Sequence, residues 1–256
     1  MAHHLRGGAV PVIVYEGPSA IDGKPIVCIL TGFTGTKNPK TGQMIQSWIL
    51  RQDIDPISAT RNGEDSSICG DCVHRRDLTT GKRSCYVNLL GPNGVYKAYK
   101  KGKYKKDLSL AFRRLRGRSL RLGSYGDPAM LPLDLCKRLC DNAKQWTGYT
   151  HQWQWCDPGF ADLCMASVEC DEEQAIAESL GYRCFRVNKS GTSQNGSIIC
   201  PASDEGGKRT TCDQCHLCQG NMSERSARIP HVQITVHGVG ASAFQGGEPL
   251  SQAHSV

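Results

Sequence analysis

The feature that most constrains this chain is a group of four cysteines near its carboxyl-terminal end. Cys212, Cys215 and Cys218 are spaced C-x2-C-x2-C, and a polar, glycine-containing segment of eleven residues separates them from Cys200. Such a segment can fold back and bring Cys200 to the other three. Four thiolates that converge in this way form a complete metal site, so the surrounding chain has to fold around them.

This spacing resembles the C-x2-C-x2-C run with an outlying cysteine that binds iron–sulfur clusters in ferredoxin-type sites. Zinc is the competing interpretation, although zinc is usually bound by two C-x2-C pairs with a longer spacer between them. We therefore predict a metal site at these four cysteines and favour a [4Fe–4S] cluster over zinc.

A second cysteine group lies earlier in the chain. Cys69 and Cys72 form a C-x2-C pair, and Cys85 follows after twelve turn-rich residues. Two interpretations stay open on this spacing. His74 completes a zinc site with the three cysteines, or the three cysteines bind a [4Fe–4S] cluster whose fourth iron is open to a small ligand. A disulfide is disfavoured in a reducing compartment.

The composition supports metal binding in the cytoplasm. The chain has 256 residues, of which 39% are hydrophobic and fourteen are cysteines. No apolar run approaches the roughly 18 residues of a membrane-spanning helix, and the first residues lack the apolar core of a signal peptide. We therefore expect a cytoplasmic protein, in which so many cysteines indicate metal binding or catalysis.

The net charge of +7 comes from one basic segment, residues 94–121. Within it, Lys97–Arg121 contains eleven Lys and Arg residues and one acid, Asp107, so the rest of the chain is slightly acidic. Three tyrosines lie among the lysines: Tyr96, Tyr99 and Tyr104. The segment could bind nucleic acid or another polyanion and stack bases on the tyrosines. Alternatively, it is a solvated helix face whose tyrosines pack inward.

Residues 1–65 are predicted to form a small antiparallel β-layer, because short β-rich runs alternate with turn signals at Val12–Tyr15, Ile26–Leu30 and Met44–Leu50. Residues 66–238 alternate between strand and helix patterns, which predicts parallel strands in a partial or irregular (β/α) barrel with cysteine-rich metal-binding loops. The predicted elements are strands at Leu120–Tyr125, Tyr149–Trp153, Phe160–Val168, Tyr182–Val187, Ser197–Cys200 and Ile229–Val236, with helices at Pro132–Trp146 and after a capping Asp171. Residues 239–256 are predicted to be a disordered tail.

The other cysteines and one histidine are given structural roles. Cys136 and Cys140 share the apolar face of a predicted helix, so we expect them to be small buried hydrophobic residues. The same role is expected for Cys28, Cys164 and Cys184, whereas Cys156 and Cys170 are not assigned. His151 is expected to be a packed, hydrogen-bonded histidine.

The order of a cysteine trio, strand–helix repeats and a second cysteine group resembles that of radical S-adenosylmethionine proteins with an auxiliary cluster. It is most similar to a phage-encoded set of small cysteine-rich proteins called gene-product-88-like, and the resemblance covers roughly residues 66–220. It implies that Cys69, Cys72 and Cys85 hold an open cluster and that Cys200, Cys212, Cys215 and Cys218 hold the auxiliary one. The strand end 123–128 would stand where these enzymes bind the amino group of the cofactor, with Ser124 and Asp127 nearby.

Two functional hypotheses follow. The resemblance implies an enzyme in which the open iron binds S-adenosyl-L-methionine, and an electron from a partner donor cleaves it to a radical that abstracts hydrogen from the substrate. The alternative is a zinc-binding, non-enzymatic protein that binds nucleic acid through Lys97–Arg121. The metal that each cysteine group binds distinguishes the two.

Overall fold

The computed structural model describes residues 10–36, 38–193, 195–220 and 230–246. The ten strands of these residues form one sheet in the order β4-β1-β2-β3-β5-β6-β7-β8-β10-β9. The strands are β1 (Val12–Pro18), β2 (Pro25–Thr31), β3 (Ile45–Arg51), β4 (Lys105–Lys106), β5 (Ser119–Tyr125), β6 (Gln145–Thr150), β7 (Met165–Val168), β8 (Cys184–Asn188), β9 (Ile198–Ile199) and β10 (Val232–Thr235). The helices are α1 (Pro56–Asn62), α2 (Ser66–Cys69), α3 (Leu90–Lys100), α4 (Leu108–Leu115), α5 (Leu133–Asn142), α6 (Asp171–Ser179) and α7 (Cys212–Cys215).

The amino-terminal strands β1, β2 and β3 pair antiparallel, as the sequence predicts. Strand β3 also pairs with β5, and this second pairing is parallel. The amino-terminal layer is therefore continuous with the parallel strands and forms one side of the same sheet. Strand β3, which is paired on both edges, is buried at six of its seven positions.

Six parallel strands lie side by side in chain order: β3, β5, β6, β7, β8 and β10. Each crossover therefore moves to the next strand in the same direction. Such crossovers are right-handed. Helices α4 and α5 pack against each other beside the core, whereas the short helices α2 and α7 carry residues that line a cavity. The sheet is not closed, since β4 and β9 lie at its two ends. The predicted α/β class with parallel strands in a partial, irregular arrangement is confirmed.

Alternate residues of β5 illustrate the two faces. Leu120 and Leu122 are fully buried and belong to the main hydrophobic core together with Leu135 and Leu139 of α5. The intervening residue Arg121 instead lines the cavity described below. This alternation follows from the two-residue period of a strand.

Several predicted boundaries differ from the structure. The strand predicted at Tyr149–Trp153 begins earlier and ends at Thr150, as β6. Helix α5 ends at Asn142 because the backbone is already extended at Ala143, so Trp146 lies in β6. The N-cap of α6 is Cys170, whose sulfur accepts a hydrogen bond from the backbone N–H of Glu173, and not Asp171. The strand predicted at Phe160–Val168 is divided into a 3-10 turn at Pro158–Asp162 and strand β7, because Pro158 begins that turn.

The segment predicted to be a disordered tail is described only up to residue 246. Ala241–Ala243 forms a 3-10 turn, and the ring of Phe244 is buried and stacks on His74 with 5.4 Å between ring centroids. These residues therefore pack on the domain, in contrast to the predicted disorder. The rest of that prediction lies outside the described residues.

The basic segment folds into α3, β4 and α4 against the antiparallel strands. Tyr96 is buried, and Tyr99 donates a hydrogen bond of 2.8 Å to Glu16, so the tyrosines face inward. Tyr104 also packs against the core. This arrangement is the one expected of a solvated helix face whose tyrosines pack inward. Within the described parts of the chain, no helix has the length and apolar character needed to cross a membrane.

Candidate metal centre

A cavity lies against one face of the parallel strands. Its volume is about 190 Å³ when the space open to solvent is left out. Inward-pointing residues of the parallel strands form one wall: Arg121, Gly123, Tyr125, Thr147, Tyr149, Ser167, Phe185, Val187, Val232 and Ile234. All seven predicted metal ligands line the same cavity: Cys69, Cys72, Cys85, Cys200, Cys212, Cys215 and Cys218. Two groups that are far apart in the sequence therefore face one space.

The first group, Cys69, Cys72 and Cys85, lies in the long crossover that follows β3. Cys69 is the last residue of α2, and the N–H of Cys72 donates to its carbonyl at 3.2 Å. The intervening residues return to the pair, because the N–H of Cys85 donates to the carbonyl of His74 at 2.9 Å. The strand end after β5 holds this loop, since the N–H of Asp127 donates to the carbonyl of Ile68 at 2.6 Å.

Two thiols of the first group, those of Cys69 and Cys85, are in surroundings that disfavour a bare thiolate. Burial raises the pKa of Cys69 well above its usual value, and the nearby charges of Asp65, Cys72 and Cys85 raise it further. Burial likewise raises the pKa of Cys85. A bound metal cation reverses this balance, because coordination deprotonates the thiol. The donor set therefore fits a metal centre.

The second group, Cys200, Cys212, Cys215 and Cys218, is assembled by short local structure. Cys212 and Cys215 begin and end the single turn of α7, and His216 then takes a left-handed conformation with φ of 57° that redirects the chain toward Cys218. Cys200 follows β9, and its N–H donates to the carbonyl of Gln233 in β10 at 2.8 Å. Burial raises the pKa of Cys218, and the charges of the other three thiols add to this effect. The predicted return of Cys200 to the triplet is thus observed.

Arg183 holds the second group on the sheet. This buried residue lies just before β8, and its guanidinium donates to the carbonyls of Leu217 and Gln219 at 2.8 Å and of Pro230 at 2.9 Å. Two of these acceptors, Leu217 and Gln219, are therefore the residues on either side of Cys218. On the cavity side, the Tyr149 hydroxyl is hydrogen-bonded to the Cys218 sulfur. Donors to ligand sulfurs tune the potential and basicity of a metal centre.

The sulfur atoms are spread more widely than the ligands of one ion. Around a single tetrahedral zinc, sulfurs bound at 2.3 Å would lie roughly 3.8 Å apart. Among the described residues, which include all seven predicted ligands, no three of these sulfurs lie within 4.8 Å of one another. A [4Fe–4S] cluster binds each thiolate to a different iron and so holds them farther apart.

Ser124 and Asp127, which the sequence places near a cofactor, line the cavity but have protein partners. The Ser124 hydroxyl donates to Gln46 at 2.7 Å. The Asp127 carboxylate accepts from the N–H of Ala129 at 3.0 Å and from the N–H of His151 at 2.8 Å. Their hydrogen bonds show that both residues hold the structure around the cavity.

Three further polar residues meet beside the first group: His74, His151 and Glu169. The Nε2 atom of His74 lies 3.2 Å from Oε1 of Glu169, and the Nε2 atom of His151 lies 3.4 Å from the same oxygen. Although burial opposes it, the neighbouring Cys72 and Glu169 raise the pKa of His151 well above its usual value. Conversely, burial favours the neutral form of Glu169, but the two histidines lower its pKa overall.

Sequence reasoning missed Glu169 and treated His151 as a packing residue. His151 directly follows β6 and Glu169 directly follows β7, which are neighbouring parallel strands. Polar residues at the carboxyl ends of adjacent parallel strands meet at one edge of the sheet, where α/β proteins bind ligands. That rule would have identified both positions from a correct assignment of the strands.

Arg121 is the other cavity residue that the sequence did not single out. It points from β5 toward the space between the two cysteine groups and is hydrogen-bonded to the hydroxyl of Tyr86, which follows Cys85. Its Nε atom is buried and has no hydrogen-bond partner among the described residues. A half-buried guanidinium with an unused Nε donor is suited to bind an anionic ligand.

Comparisons of this chain with protein-family models, with curated proteins and with solved structures give no match. The interpretation of the cavity therefore starts from its own residues.

Proposed function

We propose that this protein binds two [4Fe–4S] clusters in one cavity and acts as a radical S-adenosylmethionine-type enzyme in the cytoplasm. The observation that carries the proposal is the convergence of both cysteine groups on one face of an open parallel sheet. A structural zinc module needs no such cavity, whereas an enzyme that binds a cofactor and a substrate does.

The first group supports an open cluster. Cys69, Cys72 and Cys85 supply three ligands, and a cube has four irons. His74 is the nearest additional donor in the sequence, but Nε2 of His74 faces Glu169 at 3.2 Å and Nδ1 faces Ser84 at 2.9 Å. Both nitrogens of His74 are thus directed away from the three thiols. The side chain of His151 lies beside Cys72, but its Nε2 atom faces Glu169 at 3.4 Å. The proposal therefore assigns the fourth position to a small ligand, and the bound cluster would supply the electron for cofactor cleavage.

The remaining cavity residues would position the organic ligands. Arg121 offers its unused Nε donor to a carboxylate or phosphate group between the two cysteine groups. Asp127 and Ser124 fix the strand end that packs against α2, and they would hold this wall of the cofactor site in place. Apolar side chains of β8 and β10, including Phe185 and Val232, would exclude water from the reacting atoms.

The experiment adds S-adenosylmethionine to the anaerobically reduced protein and records its electron paramagnetic resonance spectrum. We expect the signal of one cluster to change on addition of the cofactor. Cys85→Ser should abolish that change, whereas Cys156→Ser, which alters a half-buried cysteine outside the cavity lining, should retain it. An unchanged wild-type spectrum would rule out the open-cluster enzyme.

His74→Ala separates the two interpretations of the first group. If the three cysteines hold an open cluster, this variant keeps the iron and sulfide content of the wild type. Loss of metal from the first group in His74→Ala, with the second group still filled, would make His74 the fourth ligand and leave no site for the cofactor.

A further inference from the structure

We propose that His74, His151 and Glu169 form a third metal site, for a divalent first-row transition ion, separate from the two cysteine groups. Two imidazoles and one carboxylate are the ligand set of mononuclear ferrous sites that keep open positions. The ligating atoms of the three residues all lie within 4.8 Å of one another. This proposal does not depend on the clusters or on the enzymatic activity proposed above.

The distances between the three residues match those of ligands around one ion. Ligands bound at about 2.1 Å lie roughly 3.0 Å apart at octahedral angles and roughly 3.4 Å apart at tetrahedral angles. The Glu169 Oε1 atom lies 3.2 Å from Nε2 of His74 and 3.4 Å from Nε2 of His151. Both separations fall within or at the edge of this range.

These close approaches do not have the geometry of hydrogen bonds. Oε1 of Glu169 and Nε2 of His151 are both buried, and neither has a hydrogen-bond partner among the described residues. Buried polar atoms are nearly always satisfied, and here the carboxylate meets the two imidazoles only at ion-pair distances of 3.2 and 3.4 Å. An ion located between the atoms satisfies both of them.

Hydrogen bonds hold the ring of His74 and the backbone of the other two residues. Nδ1 of His74 lies 2.9 Å from the Ser84 hydroxyl, which leaves Nε2 for the metal. The backbone N–H of His151 donates to Asp127 at 2.8 Å, and the backbone N–H of Glu169 donates to Glu173 at 2.7 Å. A partner on the second ring nitrogen, as His74 has, is usual for metal-binding histidines.

The site has one covered side and one open side. Phe244 stacks on His74 and covers it from the segment 241–246. His74 and His151 also line the main cavity, into which the free coordination positions would open. A ligand in the main cavity could therefore reach this ion.

The test uses Mn²⁺, because this ion prefers oxygen and nitrogen ligands to the thiolates of the cysteine groups. Titration of the anaerobically purified protein, followed by the loss of the free Mn²⁺ resonance signal, should show one bound ion per chain. Pulsed resonance spectra of the bound ion should show two imidazole nitrogen couplings. Absence of binding, or binding without these couplings, would overturn the proposal, and this readout needs no variant.

Glu169→Gln should weaken Mn²⁺ binding at least about 100-fold while iron and sulfide contents stay at wild-type values. The matched control is Glu178→Gln. Glu178 belongs to the second group of described residues that could hold an ion, with Cys184 and His231, but its carboxylate is exposed. Retention of binding in Glu169→Gln, or its loss in Glu178→Gln instead, would refute the assignment.

Discussion

Replacing Arg183 by methionine is expected to destabilise the protein by about 4 kcal/mol and to release the second cysteine group. The guanidinium is 6% exposed and donates to three backbone carbonyls, at Leu217, Gln219 and Pro230. A hydrogen bond from a charged donor contributes roughly 1.5–3 kcal/mol, and the three carbonyls would lose their donor together. The net loss is smaller than the sum of the three hydrogen bonds, because removing the guanidinium also removes the cost of burying it. Burial lowers the pKa of Arg183, and its Nε atom has no hydrogen-bond partner among the described residues.

Urea unfolding followed by circular dichroism measures the free energy of unfolding, and iron analysis of the folded fraction measures the occupancy of the second group. Arg183→Lys, which keeps the charge but cannot reach all three carbonyls, should lie between the wild type and Arg183→Met. Arg209→Met is the matched control, because Arg209 is exposed and donates to a single carbonyl in the same loop. If Arg183→Met lowers the free energy of unfolding no more than this control does, by less than about 1 kcal/mol, the hydrogen bonds of Arg183 are not what holds the second cysteine group.

Three further predictions concern the second group, a helix cap and the basic segment. Cys215→Ala should give insoluble protein or protein that lacks one cluster, since metal binding at such sites contributes on the order of 10 kcal/mol; soluble protein with full metal content would contradict this. At Asp55, burial favours the neutral acid, but hydrogen bonds from Ser58 and Ile57 keep its pKa below the usual value. The stabilisation that the ionised Asp55 gives to the folded state is therefore present above about pH 4 and is lost as the pH falls further. Asp55→Ala should lower the free energy of unfolding in urea by about 1 kcal/mol at pH 7. Asp55→Asn should remove the dependence of stability on acid pH that comes from this residue. If the basic segment binds a polyanion, log affinity falls as log salt concentration rises. The slope should flatten by up to roughly 0.7–0.9 per lost contact when four lysines are neutralised together: Lys100, Lys101, Lys105 and Lys106. If the wild type binds no polyanion at low salt, the segment is only a solvated surface.

Much of the fold was predictable because local patterns agree with the tertiary structure. The antiparallel pairing of β1, β2 and β3 follows from short apolar runs separated by turn residues. The parallel part follows from alternating strand and helix patterns, and the buried Cys136 and Cys140 follow from their four-residue spacing on α5. In each case one residue period specifies both the element and the face that it buries.

The errors occur where a local pattern was overridden. Trp146 fits the helical pattern of the preceding residues, but it lies in β6, where it pairs in register with Leu120 of β5. The pairing of β3 with β5 joins segments on either side of the long basic crossover, and no local signal specifies it. Such long-range choices are decided by packing of the whole sheet rather than by propensity.

The candidate site likewise has a part that the sequence predicted and a part that it did not. The spacing of the cysteines indicated which of them would gather in each group, because their loops are short. The meeting of His74, His151 and Glu169 could not be inferred in this way, since it depends on the order of β6 and β7 in the sheet. Arg121 was counted as part of the basic segment, and only the two-residue period of β5 directs it into the cavity.

The most direct test of the central claim is the metal content of the anaerobically purified wild-type protein. Iron, acid-labile sulfide and zinc would be counted per chain, together with an absorption spectrum. We predict a brown protein with about eight sulfides and about eight irons, or about nine irons if the site at Glu169 also holds one. A colourless protein with stoichiometric zinc and no sulfide would contradict the account.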